Sequence, residues 1–391
     1  YPDFDRRSFA LSGVSGGAIG IAAYSACLRA SGGDGVAACV QRGFGNVDPL
    51  SPLLSAWLFE DVLARVLPVP MATDGRRGWL KCSQPACGYL SRVQGFEREW
   101  MRALPAMAQP LSAVGGDDGR WEPHLLLNST WVESGELASA ASLRVDYHQF
   151  PGARDVQARL GRELNLIGGA HVAARFPFIN PLAALQPASG AARASLRGPA
   201  PGDLPVQGLD GHLADGGYFD NSAVVALTPV WRRVSAALSQ QGWKRRLVVV
   251  MIRNGQKPPA CEQPDARGPE KRCILPPRLA LSLPADLAHP TLRRNWGLYV
   301  DALGPLVAVL NVSGIGAHGR HAAADLLAAA DQAARAGALT RVMPIDQLTN
   351  GALLPLGWYL SPTAREVLKA QAGCLKLELN GSSAARPTHC R

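Results

Sequence analysis

An α/β fold around a mostly parallel sheet is predicted by three features of the sequence. Apolar runs that read as strands alternate with stretches at helical spacing along most of residues 8–255. A short apolar run, Ser8 to Leu11, leads into a glycine cluster and then into an Ala- and Ile-rich segment reaching about Arg29. That is the pattern of strand, sharp turn and helix. Arg246 to Ile252 is almost continuously apolar, as expected of a parallel strand buried on both faces.

The remaining elements follow in order. Leu53 to Leu67 carries apolar residues at helical spacing and ends before Pro68. Residues 68–95 are rich in Gly, Pro and Cys and read as an excursion. His124 to Val132 and Leu137 to Val145 have the composition of strands. Glu163 to Arg175 is a helix that stops ahead of Pro177, and Pro187 to Gly211 reads as an exposed loop or lid. His212 to Ala214 then enters Asp215-Gly216-Gly217, and Asn221 to Gln240 is helical. Beyond Pro258 the pattern is mostly helical, so the expected organisation is a core over residues 1–255 and a helical extension over 256–391 packed on it. No internal repeat is visible.

Composition limits the function classes. With 391 residues, 47% hydrophobic and 18% charged, the chain can bury a sizeable core. A net charge of +9, from 40 basic and 31 acidic residues, favours approach to anionic surfaces such as phospholipid headgroups. The basic residues are scattered, without zinc-finger spacing or an RNA-binding run, so nucleic acid is not the expected partner. No stretch is long and uncharged enough to span a bilayer; Leu303 to Ala317 is broken by Pro305, Asn311 and three glycines. Nor does the opening from Tyr1 to Arg7 read as a secretory signal.

Eight cysteines fall into local couples: Cys27 with Cys39, Cys82 with Cys87, Cys261 with Cys273, and Cys374 with Cys390. Proximity alone does not fix connectivity, but this usage points to an oxidising compartment, periplasmic or extracytoplasmic. Without a Cys-x-x-Cys, metal binding by these thiols is not expected. Asn128-Ser129-Thr130, Asn311-Val312-Ser313 and Asn380-Gly381-Ser382 match the glycosylation sequon and are read as chance.

The chemistry concentrates in two motifs. Gly13-Val14-Ser15-Gly16-Gly17 is a Gly-x-Ser-x-Gly pentapeptide set between an apolar strand and a helix. Small neighbours let the backbone bend there and leave the Ser15 hydroxyl exposed, while the Gly16 amide and the helix's positive end point at a developing oxyanion. The second motif, Asp215-Gly216-Gly217, supplies a carboxylate on a turn where glycines allow close backbone approach. A nucleotide cradle fails, because Ser15 occupies the middle-glycine position and no Gly-Lys-Ser/Thr exists. A Ser-Asp-His triad remains open by chain order, through His289, His318, His321 or His389. His318 and His321 have no carboxylate partner at ligand spacing, so no metal site is expected.

Taken together, the two motifs resemble the patatin-like phospholipase family, whose Ser–Asp dyad sits on a Gly-x-Ser-x-Gly elbow and a later Asp-Gly-Gly. The continuation Tyr218-Phe219-Asp220-Asn221-Ser222 and the stretch Ala173-Ala174-Arg175-Phe176-Pro177 are also similar to the family's wording. The resemblance covers about residues 8–255. It implies a patatin-like three-layer sandwich with a mostly parallel central sheet, in which Ser15 is the nucleophile and Asp215 its base. It also implies a lipid acyl hydrolase acting on lipid or phospholipid esters at a membrane surface, without metal or organic cofactor. A catalytically idle binding or scaffolding module on the same fold is the alternative from another class.

A dyad asks much of its aspartate, which must itself accept the serine proton although a free Asp carboxyl is a poor base. Partial burial raises its basicity. The chain also departs from the family. Patatin-like enzymes carry a Gly-rich loop after their first strand, whereas only 14 residues precede Ser15 and Tyr1 to Ser12 contains no glycine. The expectation is therefore a sheet lacking its first strand, with an upstream segment of the same polypeptide completing both sheet and oxyanion hole.

Overall fold

The computed structural model describes residues 4–59, 92–115, 121–146, 149–150, 153–160, 163–176, 179–185, 211–242, 247–253, 340–346, 348–349, 352–353 and 366. The chain divides into two compact units; the described residues of one run from Phe4 to Pro229, those of the other from Val230 onward.

In the first unit, a single turn of helix, α1 (Phe4–Arg7), precedes β1 (Ala10–Val14), which leads directly into α2 (Gly16–Asn46). The expected strand, turn and helix are present, but α2 runs well past Arg29. It does so across a kink at Gly32, whose φ of 66° and ψ of 174° are non-helical, and a Cys27–Cys39 disulfide joins the two arms. The other three cysteine couples lie outside the described residues. Ala18, Ile19, Ala22, Ala23 and Ala26 recur at helical spacing and are buried. Their small side chains let α2 lie close against the sheet. Next come α3 (Leu50–Leu58) and α4 (Arg92–Ala103), which pack on each other.

The sheet is completed by β2 (His124–Trp131), β3 (Glu136–Ala141), β4 (Ala153–Asp155), β5 (Ala183–Leu185) and β6 (Gly211–Asp215). Two helices interleave with these strands, α5 (Val156–Leu160) and α6 (Leu166–Ala173). The α/β class expected from the sequence is thus observed. The strand order is β4-β3-β2-β6-β5, with β1 also on β2. The sheet is mixed: β1–β2 and β3–β4 are parallel, whereas β2–β3, β2–β6 and β5–β6 are antiparallel. A short link between β2 and β3 permits only the antiparallel arrangement. Among the described residues β1 pairs with β2 alone.

β2 organises the centre. One edge pairs with β3 from Leu126 to Trp131. The other edge is shared: β1 covers His124 to Asn128, and β6 covers Ser129 to Trp131. Since β1 runs parallel and β6 antiparallel to β2, their C-terminal ends meet head to head. Val14 lies opposite Asn128 and Asp215 opposite Ser129. On one face of the sheet Leu125, Leu127, Ala138, Ala140 and Leu213 join a core with residues of α2, α4 and α6, including Phe96, Trp100 and Ile167.

The final described helix of this unit, α7 (Val224–Gln240), carries Pro229 in its interior, and the two units divide at that proline. A proline there removes one rung of the helical ladder. In the second unit β7 (Leu247–Arg253) falls on the apolar run expected to be a strand and pairs in parallel with β8 (Thr340–Asp346). A small antiparallel pair follows, β9 (Leu348–Thr349) with β10 (Ala352–Leu353). At residues 340–346, 348–349 and 352–353 the chain is therefore strand, within a stretch expected to be mostly helical whose other residues, apart from 366, lie outside the described ones. Pro344 breaks an otherwise extended apolar stretch there, and a strand containing proline gives little periodic signal.

Candidate active site

Ser15 sits where β1 ends and α2 begins, with φ 53° and ψ −130°. Ser15 and Ala223 are the two non-glycine residues with positive φ among the described residues. Such a conformation costs about 1–3 kcal/mol and persists only where the surroundings impose it. At Ser15 two constraints do so. The Ser15 N–H donates to the Ala173 carbonyl at 3.1 Å, and its own carbonyl accepts the Ala18 N–H at 3.0 Å. The serine precedes α2 in the capping position, yet its hydroxyl makes no capping hydrogen bond, so the oxygen is left for other chemistry.

The flanking glycines play different parts. A Cβ on Gly13 would stand 2.8 Å from the Ala18 nitrogen, so the strand can approach the helix only as glycine. Gly16 and Gly17 are exposed, and a Cβ on either would meet nothing within 4 Å. Space around the helix start is therefore open. As the first residues of α2, their amides have no acceptor inside the helix and carry its positive end.

Asp215 ends β6 and is buried, at 3% exposure. Its Oδ1 accepts the Gly217 N–H at 2.8 Å, while Oδ2 is buried without a hydrogen bond of ordinary geometry. Burial pushes the carboxyl up from 3.8 to about 6, with the nearby Ser15 hydroxyl and the Gly217 amide pulling the other way. The hydroxyl is thus close enough to act on Asp215 without forming a well-aligned bond, and such contacts tighten when substrate arrives. Gly216 is sterically required: a Cβ there would lie 2.1 Å from the Asn128 carbonyl oxygen.

Both motifs are held by one segment. Ala173 receives the Ser15 N–H, and Arg175, two residues on, receives the Asp215 N–H at 2.9 Å. From the other side, Thr130 Oγ1 donates to the Asp215 carbonyl at 3.0 Å and accepts the Phe219 N–H at 3.1 Å. Behind the junction runs a buried polar chain. Ser139 donates to Asn128 Oδ1, Asn128 Nδ2 donates to Ser12, and Ser12 donates to the Ala223 carbonyl, over 2.9, 2.9 and 2.7 Å. Asn128 is 1% exposed, which closes it to glycosylation in the folded chain. Asp220, the second acid of the later motif, accepts from the Ser222 amide and hydroxyl and from the Val225 N–H, fixing the start of α7.

The histidines placed after Asp215 in the sequence, His289, His318, His321 and His389, lie outside the described residues. Those within them are engaged elsewhere. His171, fully buried in α6, meets Glu97 at 2.9 Å and Asn180 at 3.1 Å and stacks on Phe96; burial holds its imidazole below the usual value. His212 meets Glu133 at 2.6 Å. A cavity of about 450 Å³ opens beside Arg175, lined also by Glu97, Glu163, Asn165, Val172 and Leu185. Neither Ser15 nor Asp215 borders it, so it is separate from the Ser15–Asp215 junction.

Sequence reasoning named Ser15, Asp215 and the five glycines, and the fold gathers all of them at the junction of β1 and β6. It missed the bracing by Thr130 and the paired roles of the Ala173 and Arg175 carbonyls. It also missed an aromatic pair, Phe176 with Tyr218, whose ring centroids are 6.3 Å apart at 22°. Backbone acceptors leave no residue-type signal, whereas a phenylalanine directly after the clasping segment does. Compared with models of protein families, with curated proteins and with solved structures, the chain finds no match.

Proposed function

We propose that this chain is a serine acyl hydrolase of the patatin-like type, cleaving carboxylic esters of lipids through Ser15 and Asp215. The observation that carries the reading is the head-to-head meeting of β1 and β6 beside Asn128 and Ser129. It brings a strained serine and a buried carboxyl with a free Oδ2 to one point.

In the proposed reaction Asp215 Oδ2 takes the Ser15 proton as Ser15 Oγ attacks the ester carbonyl carbon. The carbonyl oxygen becomes an oxyanion facing the amides at the start of α2, Gly16 foremost. The tetrahedral intermediate collapses to acyl-Ser15 as the leaving alcohol takes the proton from Asp215. Water, deprotonated by Asp215, then releases the acid and restores the hydroxyl. These steps need neither metal nor organic cofactor. A carboxyl near pH 6 is a far better base than an ordinary one, because its proton affinity lies closer to working pH.

The finer patatin-like architecture belongs to the same proposal, as do an anionic lipid surface as partner and an oxidising compartment. The +9 charge and the Cys27–Cys39 disulfide support the last two. Among the described residues no helix is long and apolar enough to cross a membrane. The decisive experiment is labelling with a fluorophosphonate probe, which reacts only with an activated serine. Wild type should label at Ser15, and Ser15→Ala and Asp215→Asn should not. A wild-type chain that neither labels nor hydrolyses any ester would instead be the idle binding module.

A further inference from the structure

Phe176 is a large apolar side chain left half in water, at 50% exposure, yet its backbone is held on both sides. Its N–H donates to the Ala174 carbonyl and its carbonyl accepts the Asn180 N–H, each at 2.9 Å. Asn180 is itself buried and anchored, its side chain meeting His171 at 3.1 Å. An exposed ring on a braced turn is an ordered apolar surface, and ordered apolar surface beside a reacting group marks a binding element.

The position of this ring is specific. Phe176 directly follows Arg175, whose carbonyl holds the Asp215 amide. Tyr218 lies three residues beyond Asp215, half-buried in the turn that the aspartate opens. Burial and the Asp215 charge both push the Tyr218 hydroxyl up, which puts that side chain within electrostatic reach of the carboxyl. Each ring therefore belongs to a segment that grips the dyad acid, and the two rings lie nearly parallel with centroids 6.3 Å apart.

From this arrangement we infer that Phe176 and Tyr218 form the platform on which the acyl chain of the ester lies, and that Phe176 sets the preference for longer chains. The inference rests on the serine hydrolase reading. An acetyl group is too short to extend over the rings, whereas an octanoyl chain lays several methylenes on them. Full burial of a methylene is worth about fourfold in binding, and a platform covers only one side of the chain.

The test is the ratio of kcat/KM for 4-nitrophenyl octanoate to that for the acetate, measured on the full chain. Phe176→Ala should lower this ratio about tenfold, and Phe176→Gln, which keeps length but not apolarity, should lower it similarly. Phe176→Leu should hold the ratio within about threefold of wild type, and Tyr218→Phe, which keeps the ring, should hold it too. Unchanged ratios in Phe176→Ala and Phe176→Gln overturn the inference, as does an equal loss on both esters. Fluorophosphonate labelling of the same proteins separates the two levels. Absence of labelling in wild type overturns the hydrolase reading together with the platform, while full labelling with an unchanged ratio overturns the platform alone.

Discussion

Replacing Asp215 by Asn should make the fold more stable at neutral pH while removing the chemistry. A carboxyl that titrates at about 6 in the fold and near 3.8 when unfolded costs the fold about 3 kcal/mol once charged, at ~1.4 kcal/mol per tenfold in the proton equilibrium. Asparagine keeps an acceptor for the Gly217 N–H, and the extra strength that the charge lends this bond is already contained in the folded value of about 6. The net expectation is a gain of about 3 kcal/mol at pH 8. The sign follows from proton binding: between pH 3.8 and about 6 the folded state holds a proton that the unfolded state has lost, so wild-type stability falls as pH rises through this window. Above the folded value the penalty is complete; below 3.8 it vanishes. Urea unfolding followed by tryptophan fluorescence from pH 4 to 8 reads this directly. The variant's advantage should grow with pH and level off above about 7. If Asp215→Asn is no more stable than wild type at pH 8, or its advantage is the same at pH 4.5, the aspartate carries no buried charge and the argument for its basicity fails.

Three further outcomes are expected. Because Asp215 must be ionised to take the serine proton, kcat/KM should rise with pH through about 6 and reach a plateau above it; a profile flat down to pH 4.5 would contradict this. Gly13→Ala and Gly216→Ala should each lose at least ~2 kcal/mol of stability, since their Cβ atoms would meet backbone at 2.8 and 2.1 Å, whereas Gly17→Ala should stay within about 0.5 kcal/mol in the same urea assay. Asn128→Leu should cost about 1–3 kcal/mol by leaving the buried Ser139 hydroxyl without its acceptor and removing the amide that donates to Ser12, which keeps its bond to the Ala223 carbonyl, and a neutral result would show that the polar chain behind the junction is dispensable.

Much of the junction was legible because its parts are constrained by local chemistry. A strand, a glycine turn and a helix announce Ser15, and the later Asp-Gly-Gly announces Asp215, each within a few residues. The meeting of the two is not local. It depends on β2 offering one edge to two strands of opposite direction, a pairing that no spacing between residues 15 and 215 encodes. Strands of three residues such as β4 and β5 are too short for periodicity to register. α4 begins inside the stretch 68–95 read as an excursion and continues into residues that carried no assignment, its Gly95 being required by an approach to the Pro52 carbonyl that only the fold reveals. His171 sits among Gly and Ala residues in α6, where nothing in the pattern marks a fully buried imidazole.

The Ala173 and Arg175 carbonyls act as a ruler. The Ser15 and Asp215 amides are 200 positions apart in the chain, yet each is set by a mark on the same short segment, and those marks are at most about 7 Å apart whatever the rest of the chain does. Spacing at the junction is thereby uncoupled from contour length. One residue added between Ala173 and Arg175 changes the distance between the two marks and so shifts one partner against the other. Length is fixed across these three residues, as it is along β2, whose register sets Val14 and Asp215 side by side.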